Sequence, residues 1–198
     1  MHWIEPSQLP LINGTIERFT VNAQGEVDGL ILQKAGGSHQ LIHFPSHMAD
    51  EVAAALKSGD AVGVRGLKPR NADVIAAVAL ECADGTEIVD RGPAKHIETK
   101  SGSLKQSPMS ASGRIRLTLF TGKGKARGAL LEDGTILRMP LKQAEQIRER
   151  LRPGETIEIR GSGCDTPHGP VIEVHHIATP AGRFEVIIRS NKSPAVDP

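Results

Sequence analysis

The chain has 198 residues and a formal net charge of +1, and 38% of its residues are hydrophobic but only 3% aromatic. It contains no apolar run of about 18 residues, which argues against a transmembrane helix, and its start does not resemble a secretory signal. The two cysteines, Cys82 and Cys164, lie in no C-x-x-C pattern, which favours reduced thiols in a cytoplasmic protein.

The first half of the chain predicts a succession of strands with one helix. Ile16, Phe19 and Val21 give strand-like alternation, whereas Met48 and Val52 have helical spacing. The predicted strands cover Gly14–Val21, Glu26–Leu32, Gln40–Phe44, Ala61–Arg65 and Asp73–Leu80, with a helix over Ser46–Lys57 and a short extra strand over Thr86–Val89.

The second half repeats the first. The segment GDAVGVRG from Gly59 returns as GETIEIRG from Gly154, and Gly25 has its counterpart at Gly124. The predicted strands are 113–120, 126–131, 135–139, 156–160 and 171–177, with a helix after Pro140 and an extra strand over 183–188. The offset between the copies falls from 99 to 95 residues at one shortened loop. This pattern indicates a duplicated domain, because solenoid units repeat at roughly 20–50 residues.

Five strands with a helix between the third and the fourth have the element order of the OB-fold, a small Greek-key barrel. Each copy resembles OB-fold proteins over about 80 residues, and the first resembles uncharacterised bacterial proteins through its G-x-I, G-x-x-x-G-L-x-L, x-F-P and L-x-x-G-D-x-V-x-V-x-G succession. The second copy departs from this pattern at Met139, where the first has Phe44. An SH3-like barrel is the alternative, but it lacks the helix. The predicted fold class is all-β, with one short helix per domain.

The predicted organisation is two OB-fold barrels in tandem. The first barrel, with an N-terminal arm, covers 1–92, a flexible linker rich in Ser, Lys, Gly and Pro covers 93–112, the second barrel covers 113–189 and a disordered tail covers 190–198. The two halves differ in charge. Residues 1–92 contain 7 Lys and Arg against 12 Asp and Glu, a net charge of −5, whereas residues 93–198 contain 17 against 11, a net charge of +6.

The resemblance to OB-fold proteins implies ligand binding on strands 2 and 3 and the adjoining loops. Comparing the two copies at such surface positions gives six basic residues in the second copy, namely Arg114, Arg116, Lys123, Lys125, Arg127 and Arg138. Their counterparts in the first copy are Thr15, Glu17, Gln24, Glu26, Asp28 and His43. A cluster of basic residues that neutralises phosphates is typical of nucleic-acid binding. Charged strand surfaces that merely prevent aggregation are the plainer interpretation.

Two functions follow from these charges. The first is a non-catalytic protein whose second barrel contacts the phosphate backbone of DNA or RNA through this basic face. The chain has few aromatic residues to stack on bases, so tight single-strand binding is not favoured. The alternative is an assembly module in which the acidic first barrel and the basic second barrel pair with each other, with another copy or with partner proteins. No catalytic constellation, cofactor motif or complete metal-ligand set is present in the sequence.

Overall fold

The computed structural model describes residues 5–92, 104–178 and 183–186. The first domain contains strands β1 (Leu11–Val21), β2 (Val27–Lys34), β3 (His39–His43), β4 (Ala61–Leu67), β5 (Val74–Cys82) and β6 (Glu87–Val89). Helix α1 (Ala49–Ala55), preceded by a turn of 3-10 helix, lies between β3 and β4. The strand order is β3-β2-β1-β4-β5-β6, and parallel pairing of β3 with β5 closes the barrel.

The second domain repeats this topology. Its elements are β7 (Ser107–Phe120), β8 (Ala126–Leu131), β9 (Ile136–Arg138), α2 (Leu141–Gln146), β10 (Thr156–Thr166), β11 (Gly169–Ala178) and β12 (Phe184–Val186). β10 pairs with both β7 and β11, and β9 pairs in parallel with β11, so this sheet closes too. Both halves are therefore five-stranded barrels with a helix between the third and fourth strands, and the predicted tandem OB-fold architecture is confirmed.

The element boundaries differ from the predicted ones mainly in the second barrel. β7 begins at Ser107, because residues 107–114 pair with residues 156–163 of β10. The last six residues of the predicted linker, 107–112, therefore belong to a strand. The rest of the predicted linker up to residue 103, the first four residues of the arm and the predicted tail lie outside the described residues.

Apolar side chains on the inner faces of the strands fill each barrel. Phe44, Leu30 and Ile42 are fully buried in the first, and Ile115, Leu137 and Ile159 in the second. The first core does not end at its own barrel, however. Its cluster also includes Leu119, Leu130 and Ile136 of the second barrel, so apolar packing continues from one domain into the other.

Candidate functional site

The two barrels contact each other through their first two strands, which are β1 and β2 in the first barrel and β7 and β8 in the second. Arg116 on β7 donates from one terminal guanidinium nitrogen to Glu17 Oε2 at 2.7 Å, and its other terminal nitrogen lies 2.5 Å from Glu17 Oε1. The carboxylate also lies 2.9 Å from Nε2 of His39. Burial acts to raise the pKa of Glu17, but the hydrogen bond and charge of Arg116 outweigh it and hold the pKa below its usual value. Glu17 is therefore ionised at neutral pH.

A β-bulge aims each member of this pair. The β1–β2 register shifts between Ile16 and Arg18, and the β7–β8 register shifts between Ile115 and Leu117. Glu17 and Arg116 are thus the bulged residues at the same place in the two copies. A bulge turns a side chain out of the regular alternation of a strand, which here directs both residues toward the opposite barrel.

A second and more deeply buried ion cluster surrounds Asp28 on β2. Arg138 donates to Asp28 Oδ1 at 2.7 Å and to the carbonyl oxygen of Val21 at 2.7 Å, and Arg127 lies 3.1 Å from Asp28 Oδ2. The Thr20 hydroxyl adds a hydrogen bond of 3.0 Å to Oδ1. Asp28 is 5% exposed and Arg138 is 4% exposed. Burial lowers the pKa of Arg138 to about 10, which leaves it charged at neutral pH beside its carboxylate.

The contacts follow an approximate two-fold relation between the copies. Glu17 meets Arg116 and Asp28 meets Arg127, and in both pairs the partners are equivalent positions separated by 99 residues. The hairpin loops obey the same relation. A β-carbon on Gly124 would lie 3.1 Å from Pro69 in the β4–β5 loop, and one on Gly25 would lie 3.4 Å from Thr166 near the β10–β11 loop. We call the surface formed by Glu17, Asp28, Arg116, Arg127 and Arg138 the pairing face.

The six basic residues predicted as a nucleic-acid site are therefore divided by the structure. Arg116, Arg127 and Arg138 lie on the pairing face, in ion pairs with the first barrel. Arg114 is exposed and donates to the Gly154 carbonyl oxygen within its own barrel. Lys123 and Lys125 are exposed in the β7–β8 loop, and no described residue forms an ion pair with either. The structure does not gather all six into one open groove.

Lys123 and Lys125 gain basic neighbours from the first barrel instead. The β7–β8 loop packs on the β4–β5 loop, which carries Lys68 and Arg70, both exposed. We call the surface formed by Lys68, Arg70, Lys123 and Lys125 the basic end. At the other end of the two-fold relation the β1–β2 loop carries Gln24 and Glu26, and Asp165 lies near the end of β10, so acidic residues stand at the positions equivalent to Lys125 and Arg70.

A cleft of about 330 Å³ opens between the barrels beside the β4–β5 loop. Leu117 and the ring of Phe120 contribute apolar surface, while Arg148 and Arg152 contribute charge. The Arg148 guanidinium lies 5.2 Å from the centre of the Phe120 ring and also donates to the carbonyl oxygen of Asn71 in the first barrel. The cleft therefore combines an aromatic surface with cations, in contact with both domains.

Sequence comparison missed Arg18, which binds across the pairing face from the acidic barrel. It donates to the carbonyl oxygens of Gly134 and His168 at 3.0 and 2.6 Å. Its counterpart in the second copy is the apolar Leu117, and the prediction considered only basic residues of the second copy. Lys68 and Arg70 were missed for the same reason. A signal was present, since Ile16 and Phe19 are both in the core three residues apart and so break strict alternation around Arg18.

Acidification is expected to destabilise the protein below a pH of about 6.5 through His43. Its Nδ1 lies 2.8 Å from the Asp28 carbonyl oxygen, which can only accept, so Nδ1 carries the proton. Burial lowers the pKa of His43, and Arg127 and Arg138 lower it further, against the opposing effect of Asp28. Between the folded and the unfolded pKa of His43, the unfolded chain binds a proton that the folded chain does not bind. The free energy of unfolding is therefore lowered as the pH falls below the unfolded pKa.

Thermal unfolding measured from pH 7.5 to pH 5.5 checks this expectation. His43→Asn places an amide nitrogen near the position of Nδ1 and removes the titration, so this variant should lose less stability over that interval than the original chain. Equal losses in the two proteins would contradict the role of His43. Burial also lowers the pKa of His168, which contributes in the same direction in both proteins.

Among the described residues there is no group of three or more His, Cys, Asp or Glu side chains placed to hold a metal ion. No helix in the described ranges is long and apolar enough to cross a membrane.

No family model and no curated protein matches the chain. Among solved structures, the wild-type single-stranded DNA binding protein from Thermus aquaticus aligns at 15% identity, over 93% of this chain and 94% of its own, with a TM-score of 0.26. A deletion mutant of that protein aligns at 14% identity over 94% and 96%, with a TM-score of 0.25. TiaS, a tRNA agmatidine synthetase, aligns at 13% identity over 88% of this chain and 33% of its own, with a TM-score of 0.29. Superpositions this loose carry no functional information, and the fold assignment depends on the strand order alone.

Proposed function

We propose that the chain is a non-catalytic nucleic-acid-binding protein that contacts the phosphate backbone through the basic end. The observation that carries the proposal is the meeting of two basic loops from different barrels, Lys68–Arg70 and Lys123–Lys125. Phosphate oxygens are acceptors that such cations neutralise, and the release of condensed counterions favours binding. Of the six residues predicted from the sequence, Lys123 and Lys125 support this proposal directly.

The charges on the described surface support the basic end over the pairing face. Arg70, Lys123 and Lys125 have no ion-pair partner in the described part of the chain, whereas Arg116 and Arg138 are already bound to carboxylates. The neighbouring cleft places the Phe120 ring beside Arg148 and Arg152, which are paired with Glu145 and Glu149, so a base stacked on this ring would displace the Arg148 guanidinium. One available ring supplies little stacking energy, so backbone contact dominates the proposed binding.

A non-catalytic role agrees with the chemistry of this surface. The basic end holds Lys and Arg side chains, and within the described residues the cleft adds Asp73, Glu149 and amide groups but no activated nucleophile beside a base. Asp73 is bound to Lys68 at 2.7 Å, which lowers its pKa and keeps it ionised. Two free cysteines support a cytoplasmic location, because thiols stay reduced there.

Loss of charge at the basic end is expected to weaken nucleic-acid binding. Fluorescence anisotropy at low salt, with labelled single-stranded DNA, single-stranded RNA and duplex DNA, measures the affinity of the original chain and of the double variant Lys123→Glu, Lys125→Glu. Affinity for at least one of the three should fall by about tenfold or more. For a single strand, the slope of log K against log salt should decrease by about 1.4 when two phosphate contacts are lost.

The matched control is Lys57→Glu with Lys105→Glu, which changes the net charge equally at exposed residues. Lys57 precedes β4, at the opposite end of that strand from the β4–β5 loop, and Lys105 follows Leu104, which lies beside Gly25 in the β1–β2 loop. It should retain the affinity and the salt slope of the original chain. Absence of binding by the original chain to all three probes, or equal losses in the two double variants, would overturn the proposal.

A second candidate function is an assembly module, favoured by the ion pairs of the pairing face. The acidic first barrel and the basic second barrel are complementary at Glu17 and Arg116 and again at Asp28 and Arg127. In this function the same complementarity brings chains or partner proteins together. It does not require the basic end, so the two candidates make separate predictions.

A further inference from the structure

We infer that the charges of the pairing face are a recognition code, which lets a barrel pair with one of opposite sign and rejects one of its own sign. The partners that fit this face are the other barrel of the same chain and the oppositely charged barrel of a second copy. The inference concerns the pairing face alone and stands whether or not the basic end binds nucleic acid.

The two-fold relation makes the code strict. Because equivalent positions meet, two first barrels brought together in the same way would place Glu17 against Glu17 and Asp28 against Asp28. Two second barrels would place Arg116 against Arg116 and Arg127 against Arg127. Like charges brought together at an interface cost several kcal/mol, so the pairing of two first barrels or of two second barrels is disfavoured.

The apolar part of the interface does not discriminate in this way. Leu130 and Ile136 of the second barrel lie in the same apolar cluster as Ile31 and Leu41, their counterparts in the first. The equivalent side chains are apolar in both copies, so hydrophobic packing is compatible with like as well as unlike barrels. Discrimination therefore falls to the charged positions.

Stability alone does not account for the buried charges. A buried ion pair often contributes no more than apolar residues of the same volume, because desolvation of the two ions offsets their attraction. Asp28 and Arg138 are almost wholly buried and hydrogen-bonded to each other, and Arg138 is charged at neutral pH. Specificity is achieved by favouring one partner and penalising another, and an unpaired buried charge is a strong penalty.

Charge reversal in full-length chains tests the code. One variant carries Glu17→Arg and Asp28→Arg, which makes both of its barrels basic on this face. The other carries Arg116→Glu, Arg127→Glu and Arg138→Glu, which makes both acidic. Each alone should remain unpaired and monomeric, while an equimolar mixture should form a heterodimer. Light scattering and sedimentation at low salt measure this, and association in the mixture should be about 100-fold or more tighter than self-association of either variant.

A chain that carries all five reversals restores the complementarity and should again be a compact monomer with the sedimentation coefficient of the original. Circular dichroism establishes that each variant is folded. If a multiple variant does not fold, the single variants Glu17→Arg and Arg116→Glu take the place of the two multiple variants. These two side chains are partly exposed, at 26% and 33%, so their replacement disturbs the core less. Folded variants that dimerise with themselves, that fail to associate in the mixture, or that keep the compact form of the original chain would overturn the inference. Nucleic acid is absent from the experiment, so its failure is distinct from failure of the proposed binding function.

Discussion

Replacing Asp28 by leucine is expected to lower the free energy of unfolding by about 3–5 kcal/mol, among the largest effects of any single substitution in this chain. The cause is Arg138, which would remain buried and charged after losing the carboxylate 2.7 Å away. Loss of Asp28 removes a charge and a hydrogen bond that raise the pKa of Arg138, but a guanidinium does not lose its proton at pH 7, so the variant cannot escape the cost in that way. Urea unfolding at pH 7 measures the difference.

The matched control removes both charges at once. Asp28→Leu combined with Arg138→Met leaves no buried ion at this place, and it should recover most of the stability lost by Asp28→Leu alone. A double variant as unstable as the single one would show that the loss came from packing around residue 28. Arg127 is partly exposed, so its guanidinium can be hydrated in either variant. It therefore contributes equally to the free energies of unfolding of the single and the double variant.

Replacing Gly128 by alanine is expected to destabilise the second barrel by about 3 kcal/mol, at the upper end of the cost of overpacking. The added β-carbon would lie 1.8 Å from the carbonyl oxygen of Leu137 on the neighbouring strand, where only backbone movement can relieve the clash. Gly29, the equivalent glycine of the first barrel, approaches the Ile42 carbonyl oxygen in the same way at 2.4 Å. Both serve the close contact between the second and third strands.

Gly113→Ala provides the control for this prediction. The β-carbon there would meet Leu131 at 3.4 Å, an ordinary contact, and its backbone needs no positive φ. Thermal and urea unfolding should show a change of about 0.5 kcal/mol or less. Similar losses from Gly113→Ala and Gly128→Ala would indicate that alanine is poorly tolerated at strand glycines of this barrel generally and that the close approach at Leu137 is not the cause.

Most of the fold was predictable from the sequence because each barrel is built from local patterns that occur twice. Alternation around Ile16 and Val21, helical spacing around Val52 and the repeated Gly66 and Gly161 indicate the same order of elements in both halves. The beginning of β7 was not predictable in this way. Residues 107–112 are rich in Ser, Ala and Pro, and they form a strand because they pair with a long β10. Tertiary pairing overrides weak local propensity there.

Part of the candidate site was predictable too, and the rest depended on contacts between the domains. Comparing the copies identified Arg116 and Arg127 as the positions where the barrels differ in charge. It could not show that Glu17 and Asp28 would meet these same residues, since that requires the relative placement of two domains. Lys68 and Arg70 escaped notice because they belong to the first copy, and nothing in the sequence indicates that the β7–β8 loop packs beside them.

The meeting of equivalent positions across the two-fold relation has a consequence for the history of the gene. In a dimer of two identical chains, any residue on the symmetry axis faces its own copy, and a substitution there changes both sides together. Opposite charges such as Glu17 and Arg116 cannot arise on the axis of such a dimer. They require two copies of the domain that can mutate independently, so the charge pairs at these positions are younger than the duplication.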